Sequence, residues 1–447
     1  MRQRRLTLTA LMMILMAVSL SACMEDNMSF LSSKIEIAAN PNLAEWIPRI
    51  AYNSVDDEFL VVWTEQGVRE LGGPSLYGIA AQRFTTRGEK IGGIISPAGD
   101  PLNQIILLPT PEFNQFTKEY FIGYTMTGDG FDEYGAIINS TGGSIKQPFV
   151  ISAKPKSQMH TRMAFNTQKR QYFVVYNSSE SGSPDIKGVI VGEDGTPVTG
   201  ELMINDNPGD QYNPYIVYNP RDDRYLLNWE DFRNVPTWEQ NGEIYGALVD
   251  GDGNVLVNDI AMIDDYGTPE EGDQRLNEIS YNPDKNEYLA TWSDTSPVLE
   301  NVGLRGRFIT SDGELGGPIF TVVDTIGPQI FQHTVYVSNR KKYFILWEDG
   351  RNQVDPSGGW SNITDLDIYG LWMSSNGKFF SKEVVFCKEP GIQRYSSLSY
   401  ADKTDRMIVT WQDIVDEDLR LGETDDQSGQ HVMEKGGNVY AIVYGSP

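Results

Sequence analysis

Three stretches of the chain gather carboxylates, two of them around a tryptophan, and no stretch copies another. They hold Trp238, Glu239 and Glu243; then Asp355, Trp360, Asp365 and Asp367; then Asp416, Glu417, Asp418, Asp425 and Asp426. Clustered carboxylates suit a hard cation such as Ca²⁺, a basic protein surface or a cationic ligand. Aromatic rings among acids could instead stack on sugars, and a pair of carboxylates could hydrolyse a glycosidic bond. A third reading is a solvated acidic surface whose tryptophans pack against neighbouring loops. The candidate ligand-binding set is Trp238, Glu239, Glu243, Asp355, Trp360, Asp365, Asp367, Asp416 and Asp418.

Other chemistry is thin. Asp231, Asp349 and Asp413 each lie two residues after a tryptophan. An active site needs one constellation, so their repetition points to structure: tying a loop base to backbone amides, or to Arg233 and Arg351. Asp250-Gly-Asp252-Gly-Asn254 opens like a calcium loop, but Val255 replaces the needed glycine and Ala261 the twelfth-position glutamate. It reads as a turn. His160, His333 and His431 lie far apart, which disfavours zinc and histidine-based nucleophilic chemistry. Cys387 sits in an apolar run and reads as a buried, inert thiol. A net charge of −26 repels nucleic acid and anionic headgroups.

The elements that position these residues are a repeat. A β-hairpin with one aromatic in each strand recurs as Tyr52/Trp63, Phe113/Tyr124, Phe165/Tyr176, Tyr218/Trp229, Tyr281/Trp292, Tyr336/Trp347 and Tyr400/Trp411, always eleven residues apart. A third strand follows, with a small residue near its start: Ala81, Gly135, Gly188, Gly246, Gly306, Gly370 and Ala441. Crowding near a central axis would explain the small residue. Seven residues beyond the first six lie Gly88, Gly142, Gly195, Gly253, Gly313 and Gly377, each expected at positive φ in a tight turn. A fourth apolar run ends the unit. Seven four-stranded units predict an all-β fold, a seven-bladed β-propeller of antiparallel blades. The last unit lacks its fourth strand, and Ile35–Ala39 is expected to supply it beside 439–444. That pairing closes the ring and leaves no free edge, so a monomer is expected.

Turns between first and second strands, and between third and fourth, are constant in length. The second-to-third-strand connections vary from eleven to thirty residues between the aromatic and the small residue. Variable loops on a constant scaffold are where function concentrates. These loops (64–80, 125–133, 177–185, 230–243, 293–303, 348–367 and 412–438) also hold most of the acidic excess. Their bases are only Arg69, Arg233, Arg351, Arg420 and Lys435. Asp264, Asp265, Glu270, Glu271 and Asp273 in one inter-blade connection lie on the same face.

Trp229-Glu-Asp231-Phe-Arg233-Asn234 with Ile244-Tyr-Gly246, and Trp347-Glu-Asp349-Gly-Arg351-Asn352 with Asp367-Ile-Tyr-Gly370, resemble a family of secreted and surface-attached bacterial propeller repeats. The resemblance covers essentially all of 29–447, although Tyr124 and Tyr176 depart from it at the tryptophan position. It implies export and a propeller, and no single activity.

The N-terminus reads as a leader: Arg2, Arg4 and Arg5, an apolar stretch from Leu6 to Leu20, then Leu20-Ser-Ala-Cys23. The last four residues resemble a bacterial lipobox, which implies cleavage after residue 22 and a lipid (palmitate among its acyl groups) on Cys23. Met24 in place of aspartate points by the same resemblance to the outer membrane. The expected organisation is a signal peptide (1–22), a lipidated tether (23–34) and the propeller (35–447). The short tether should hold the constant-length face towards the membrane and the loop face away. The reading adopted is a membrane-anchored extracytoplasmic lipoprotein that binds a protein, glycan or cation through its acidic loop face without catalysis. The competing class is a carbohydrate-active hydrolase or lyase with carboxylates in the central funnel.

Overall fold

The computed structural model describes residues 28–447 except 40–42, 69–74, 99–103, 129, 235–241, 264–272, 296–301, 354–362, 379–380 and 415–436. The leader and Cys23 lie outside the described residues. Twenty-nine strands form seven antiparallel sheets, arranged as a seven-bladed propeller.

β1 (Ser29–Phe30) and β2 (Ile35–Ala38) precede the first complete blade, which is β3 (Leu43–Asn53), β4 (Glu58–Val68), β5 (Ser75–Thr85) and β6 (Lys90–Ile95). Blade 2 is β7 (Ile106–Asn114), β8 (Glu119–Gly128), β9 (Gly130–Asn139) and β10 (Ser144–Ser152). Blade 3 is β11 (Gln158–Asn166), β12 (Gln171–Ser178), β13 (Asp185–Gly192) and β14 (Leu202–Asn205). Blade 4 is β15 (Gln211–Asn219), β16 (Arg224–Asp231), β17 (Glu243–Asp250) and β18 (Val255–Ala261). Blade 5 is β19 (Gln274–Asn282), β20 (Glu287–Asp294), β21 (Gly303–Thr310) and β22 (Phe320–Val323). Blade 6 is β23 (Gln329–Val337), β24 (Lys342–Asp349), β25 (Asp367–Ser374) and β26 (Val384–Cys387). Blade 7 is β27 (Ile392–Ala401), β28 (Arg406–Ile414) and β29 (Asn438–Gly445), completed by the N-terminus.

The first strands touch one another around the ring and so surround the axis. The second strands are covered on both faces, which is why they read as nearly unbroken apolar runs such as Tyr172–Tyr176. Trp63, Trp229, Trp292, Trp347 and Trp411 are all fully buried, and Tyr124 and Tyr176 fill the same place in blades 2 and 3. The first hairpin turn is built alike in blades 1 to 5, on Asn53, Asn114, Asn166, Asn219 and Asn282, while blades 6 and 7 have Val337 and Ala401 there and keep only the left-handed residue, Lys341 and Asp405. Asn219 Oδ1 accepts from the amides of Arg221 and Asp222, and Asp223 takes a left-handed φ of 51°. The six turn glycines have φ between 73° and 93°, as expected.

Three expectations change. The small residue in the third strand is not near the axis, because that strand lies third outward. A Cβ at Gly135 would stand 2.4 Å from the Phe121 ring, and one at Gly370 would stand 2.5 Å from Phe344. Second-strand rings fill the space at Gly135 and Gly370; at Gly246 the Leu227 carbonyl and Met262 do so, and at Gly306 the fourth-strand Phe320 ring. Much of the expected loops 64–80 and 125–133 is strand, because β4–β5 and β8–β9 continue pairing out to Val68↔Ser75 and Gly128↔Gly130. Pairing with β29 begins at Ser29, earlier than Ile35: Ser29 pairs with Gly445 and Phe30 with Tyr444, followed by Ile35 with Ala441.

The Trp-x-Asp-x-Arg-Asn stretch proves to be a lock at the loop base. Asp231 accepts from Trp229 Nε1 (2.9 Å), the Arg233 amide (3.0 Å) and both Nε (2.8 Å) and Nη2 (2.7 Å) of Arg233. Arg233 then lies 4.0 Å over the Tyr245 ring, and Asn234 Nδ2 donates to Glu243 at 2.9 Å. Asp349, Trp347, Arg351, Tyr369, Asn352 and Asp367 repeat this arrangement. Blade 7 has Trp411, Asp413 and Tyr440 in the corresponding places, and its cation comes from the N-terminal segment. Lys34 Nζ stands 4.0 Å over the Tyr440 ring, 2.7 Å from Asp413 and 2.5 Å from Glu389. Burial opposes the charge on Lys34, but the two carboxylates outweigh it and raise its pKa.

Candidate functional site

Each first strand carries one extra residue. Pairing of β3 with β4 jumps from Trp46↔Thr64 to Arg49↔Val62, and the same shift occurs in all seven blades. The bulge residues are Ile47, Leu108, His160, Asn213, Leu276, Phe331 and Tyr395, with φ between 49° and 64°. None is glycine. A left-handed backbone costs a non-glycine residue about 1 kcal/mol or more, so the ring stores strain at one level of the molecule.

All seven bulge residues line a cavity of about 560 Å³ on the axis. It opens on the face of the variable loops, since it is also walled by Ser157, Asn177, Ser179, Glu230 and Phe232 at the strand ends there. Two residues after each bulge the ring reads Arg49, Thr110, Arg162, Tyr215, Glu278, His333 and Ser397. Here the blades stop resembling one another. Five of these seven line the cavity, together with Trp46, Tyr212, Arg275 and Arg394 from the positions before the bulge.

The polar groups form one network. Glu278, almost wholly buried, accepts from Tyr215 Oη (2.7 Å) and the Thr334 amide (2.9 Å), and lies 3.1 Å from His333 Nδ1. Arg49 Nη1 is 3.4 Å from His333 Nε2, which completes a chain from Tyr215 to Arg49. Glu230 accepts the amide of the next blade's bulge residue, Leu276, at 2.8 Å, and Glu348 accepts the amide of Ser396 at 2.9 Å. Burial raises the pKa of Glu230, and pushes Glu348 and Glu133 up to about 8. Glu133 accepts from the hydroxyls of Thr161 and Thr125. Glu230 and Glu348 of second strands, and Glu133 of a third strand, thus brace the residues at or beside the bulges of the following blades.

Of the cavity's four arginines, Arg275 pairs with Asp273 at 2.6 Å. Arg49, Arg162 and Arg394 make no salt bridge among the described residues. Arg162 Nη1 donates to the Thr161 carbonyl at 3.0 Å, and burial together with the neighbouring Arg49 brings its pKa down to about 10. Arg394 lies 3.9 Å over the Tyr395 ring, and its buried Nε has no partner. Rings of Trp46, Tyr212, Phe232, Phe331 and Tyr395 complete the wall.

The residues singled out from sequence lie elsewhere. Trp238, Glu239, Asp355, Trp360, Asp416 and Asp418 fall outside the described residues. Glu243 and Asp367 are buried acceptors of the loop-base locks, so they serve the scaffold and do not face a ligand. Asp365 is half-buried beside Gly391. None of these three lines the cavity. Among the described residues no three metal-ligating side chains gather, and Asp250 closes its turn by accepting the amides of Asp252 and Asn254. Cys387 is buried, and burial pushes its thiol up to about 12. The signal that could have found the funnel was present. Counting back five and three residues from each hairpin's first aromatic gives both rings.

No protein-family model matches the chain, nor does any curated protein. Among solved structures, a protein of unknown function from Dyadobacter fermentans DSM 18053 is similar over 94% of this chain and 99% of its own, at 8% identity and a TM-score of 0.53. The GH93 α-L-arabinofuranosidase of Fusarium graminearum aligns over 92% and 97% at 12% identity, with a TM-score of 0.47. The first likeness is one of fold. The second is too loose to argue from.

Proposed function

We propose that this protein is a lipid-anchored envelope lipoprotein that binds a small ligand in its central funnel without transforming it. One observation carries the reading: seven blades alike in scaffold present six kinds of side chain at one level, and five of the seven positions line a cavity of ligand size. The site differs from the acidic loop face expected from sequence, but it lies within the same face. The lipobox resemblance and the likeness to secreted propeller repeats support export and anchoring at Cys23, with the outer membrane as the proposed location.

The chain's entry supports an orientation. Ser29, six residues after Cys23, pairs with Gly445 at the end of β29 away from the funnel mouth. At about 3.4 Å per residue, the opposite face stays within a few nanometres of the lipid. The funnel then opens away from the membrane. Catalysis by a carboxylate pair is disfavoured, because the two acids lining the cavity, Glu230 and Glu278, each accept a backbone amide of the next blade.

The test is capture of oligosaccharides on an array by the immobilised protein. Met159→Trp, which narrows the cavity, should abolish capture, whereas Trp238→Ala with Trp360→Ala should leave it within about twofold. Retained capture with Met159→Trp and loss with the loop pair would move the site to the loops.

A further inference from the structure

The chemical class of the ligand follows from an imbalance of charge between the funnel and the rest of the molecule. A protein with 62 acids against 36 bases has, at its axis, a cavity walled by four arginines and two glutamates. Both glutamates are engaged by the scaffold, and among the described residues only Arg275 of the four arginines has a carboxylate partner. Arg49 and Arg162, at equivalent positions of blades 1 and 3, present guanidinium groups to the same recess. Arg394 adds a buried N–H with no acceptor. A buried donor left without an acceptor is unfavourable, the more so when charged, and an arriving oxyanion would satisfy it.

We infer that the funnel takes a sugar bearing a single carboxylate, with the carboxylate on Arg49 and Arg162 and the ring against the aromatic wall. This rests on the funnel being the ligand site. Three features select that class. The planar guanidinium forks match a carboxylate through two parallel hydrogen bonds. Trp46, Tyr212, Phe232 and Tyr395 offer flat apolar faces, which a bare inorganic anion does not need and a sugar ring does. The strongly acidic body repels a ligand in proportion to the ligand's charge, while the arginine pair rewards one anionic group at contact. That balance favours one negative charge over two and disfavours a polyanion.

The experiment uses the protein as it is exported, with all of 23–447, in detergent and calorimetric titration. The probes share a ring and differ at one carbon: galacturonate, galactose and galactose 6-phosphate, with the corresponding glucose and mannose sets. At least one uronate should bind, at least about tenfold more tightly than its neutral and phosphorylated counterparts. Arg162→Gln and Arg49→Gln should each weaken it by about 10–100-fold, as expected for loss of a charged hydrogen bond. Unchanged melting temperatures in both variants would show that the fold is intact. If a neutral sugar binds as well as its uronate and both arginine variants retain it, the carboxylate inference is wrong while the funnel reading stands. Tighter binding of a phosphorylated sugar also overturns it. If no uronate binds while Met159→Trp still abolishes oligosaccharide capture, the funnel holds a ligand of another class. If Met159→Trp leaves capture unchanged, the funnel reading itself fails.

Discussion

Removing residues 28–38 should lower the melting temperature by more than about 10 °C and make the chain aggregate. The segment does three things at once. It pairs with β29 along both β1 and β2, and so covers the outermost edge of blade 7. It sets Phe30 against Phe386 and Tyr444, with ring centroids 5.4 Å away in each case. It also delivers Lys34 to Asp413, whose side chain is 3% exposed. Among the described side chains, only Gln393 Nε2, at 3.4 Å, would remain beside that carboxylate without Lys34. Breaking a buried pair by removing one partner costs about 3–5 kcal/mol, an upper bound for a lysine that is partly solvated. Lys34→Met should therefore account for part of the loss and not cause aggregation, because the edge stays covered. Differential scanning calorimetry and light scattering check both results. A deletion that melts within about 2 °C of the intact chain would show that blade 7 is stable with three strands.

Stability should fall as pH rises from 5 to 8.5, and Glu133→Gln with Glu348→Gln should remove much of that fall. Burial holds both carboxyls at about 8, against 4.5 for an ordinary glutamate. The native state therefore binds more protons than the unfolded chain between those values. The stabilisation is fully present below pH 4.5 and is lost as pH rises through about 8. A neutral amide in each place can still accept from Thr161 and from the Ser396 amide. The double variant should match the parent at pH 5 and melt about 5 °C higher at pH 8.5. Equal slopes in parent and variant would show that these carboxyls ionise as ordinary ones do.

The blades were legible because their signal is a fixed count: eleven residues between aromatics, seven from small residue to turn glycine. Such counts survive any drift in side-chain identity. Ring closure was legible for a similar reason, since the seventh unit stops short and Ile35–Ala38 matches the missing strand. The funnel was not legible, because its backbone leaves no mark in composition. A left-handed residue is normally announced by glycine or asparagine, whereas these bulges use isoleucine, leucine, histidine, phenylalanine and tyrosine, with asparagine once. Their residues look like ordinary members of a strand until the first strand is known to face the axis.

The loops misled for the complementary reason. Unrepeated acids such as Glu243 and Asp367 drew attention by being near tryptophans, yet they close the same lock in blades 4 and 6. Arg233 and Arg351 do pair with Asp231 and Asp349 as expected, and each is pinned between that carboxylate and a tyrosine ring. The positions where the blades differ most in chemistry lie two residues after each bulge, on strands that otherwise repeat.

A crystal structure grown with the saccharide that the protein captures best tests the central claim most directly. The ligand should lie on the axis within hydrogen-bonding distance of Arg49 or Arg162 and in contact with at least one of the cavity's aromatic rings. Ligand held only by the variable loops, with the funnel unchanged, would contradict it.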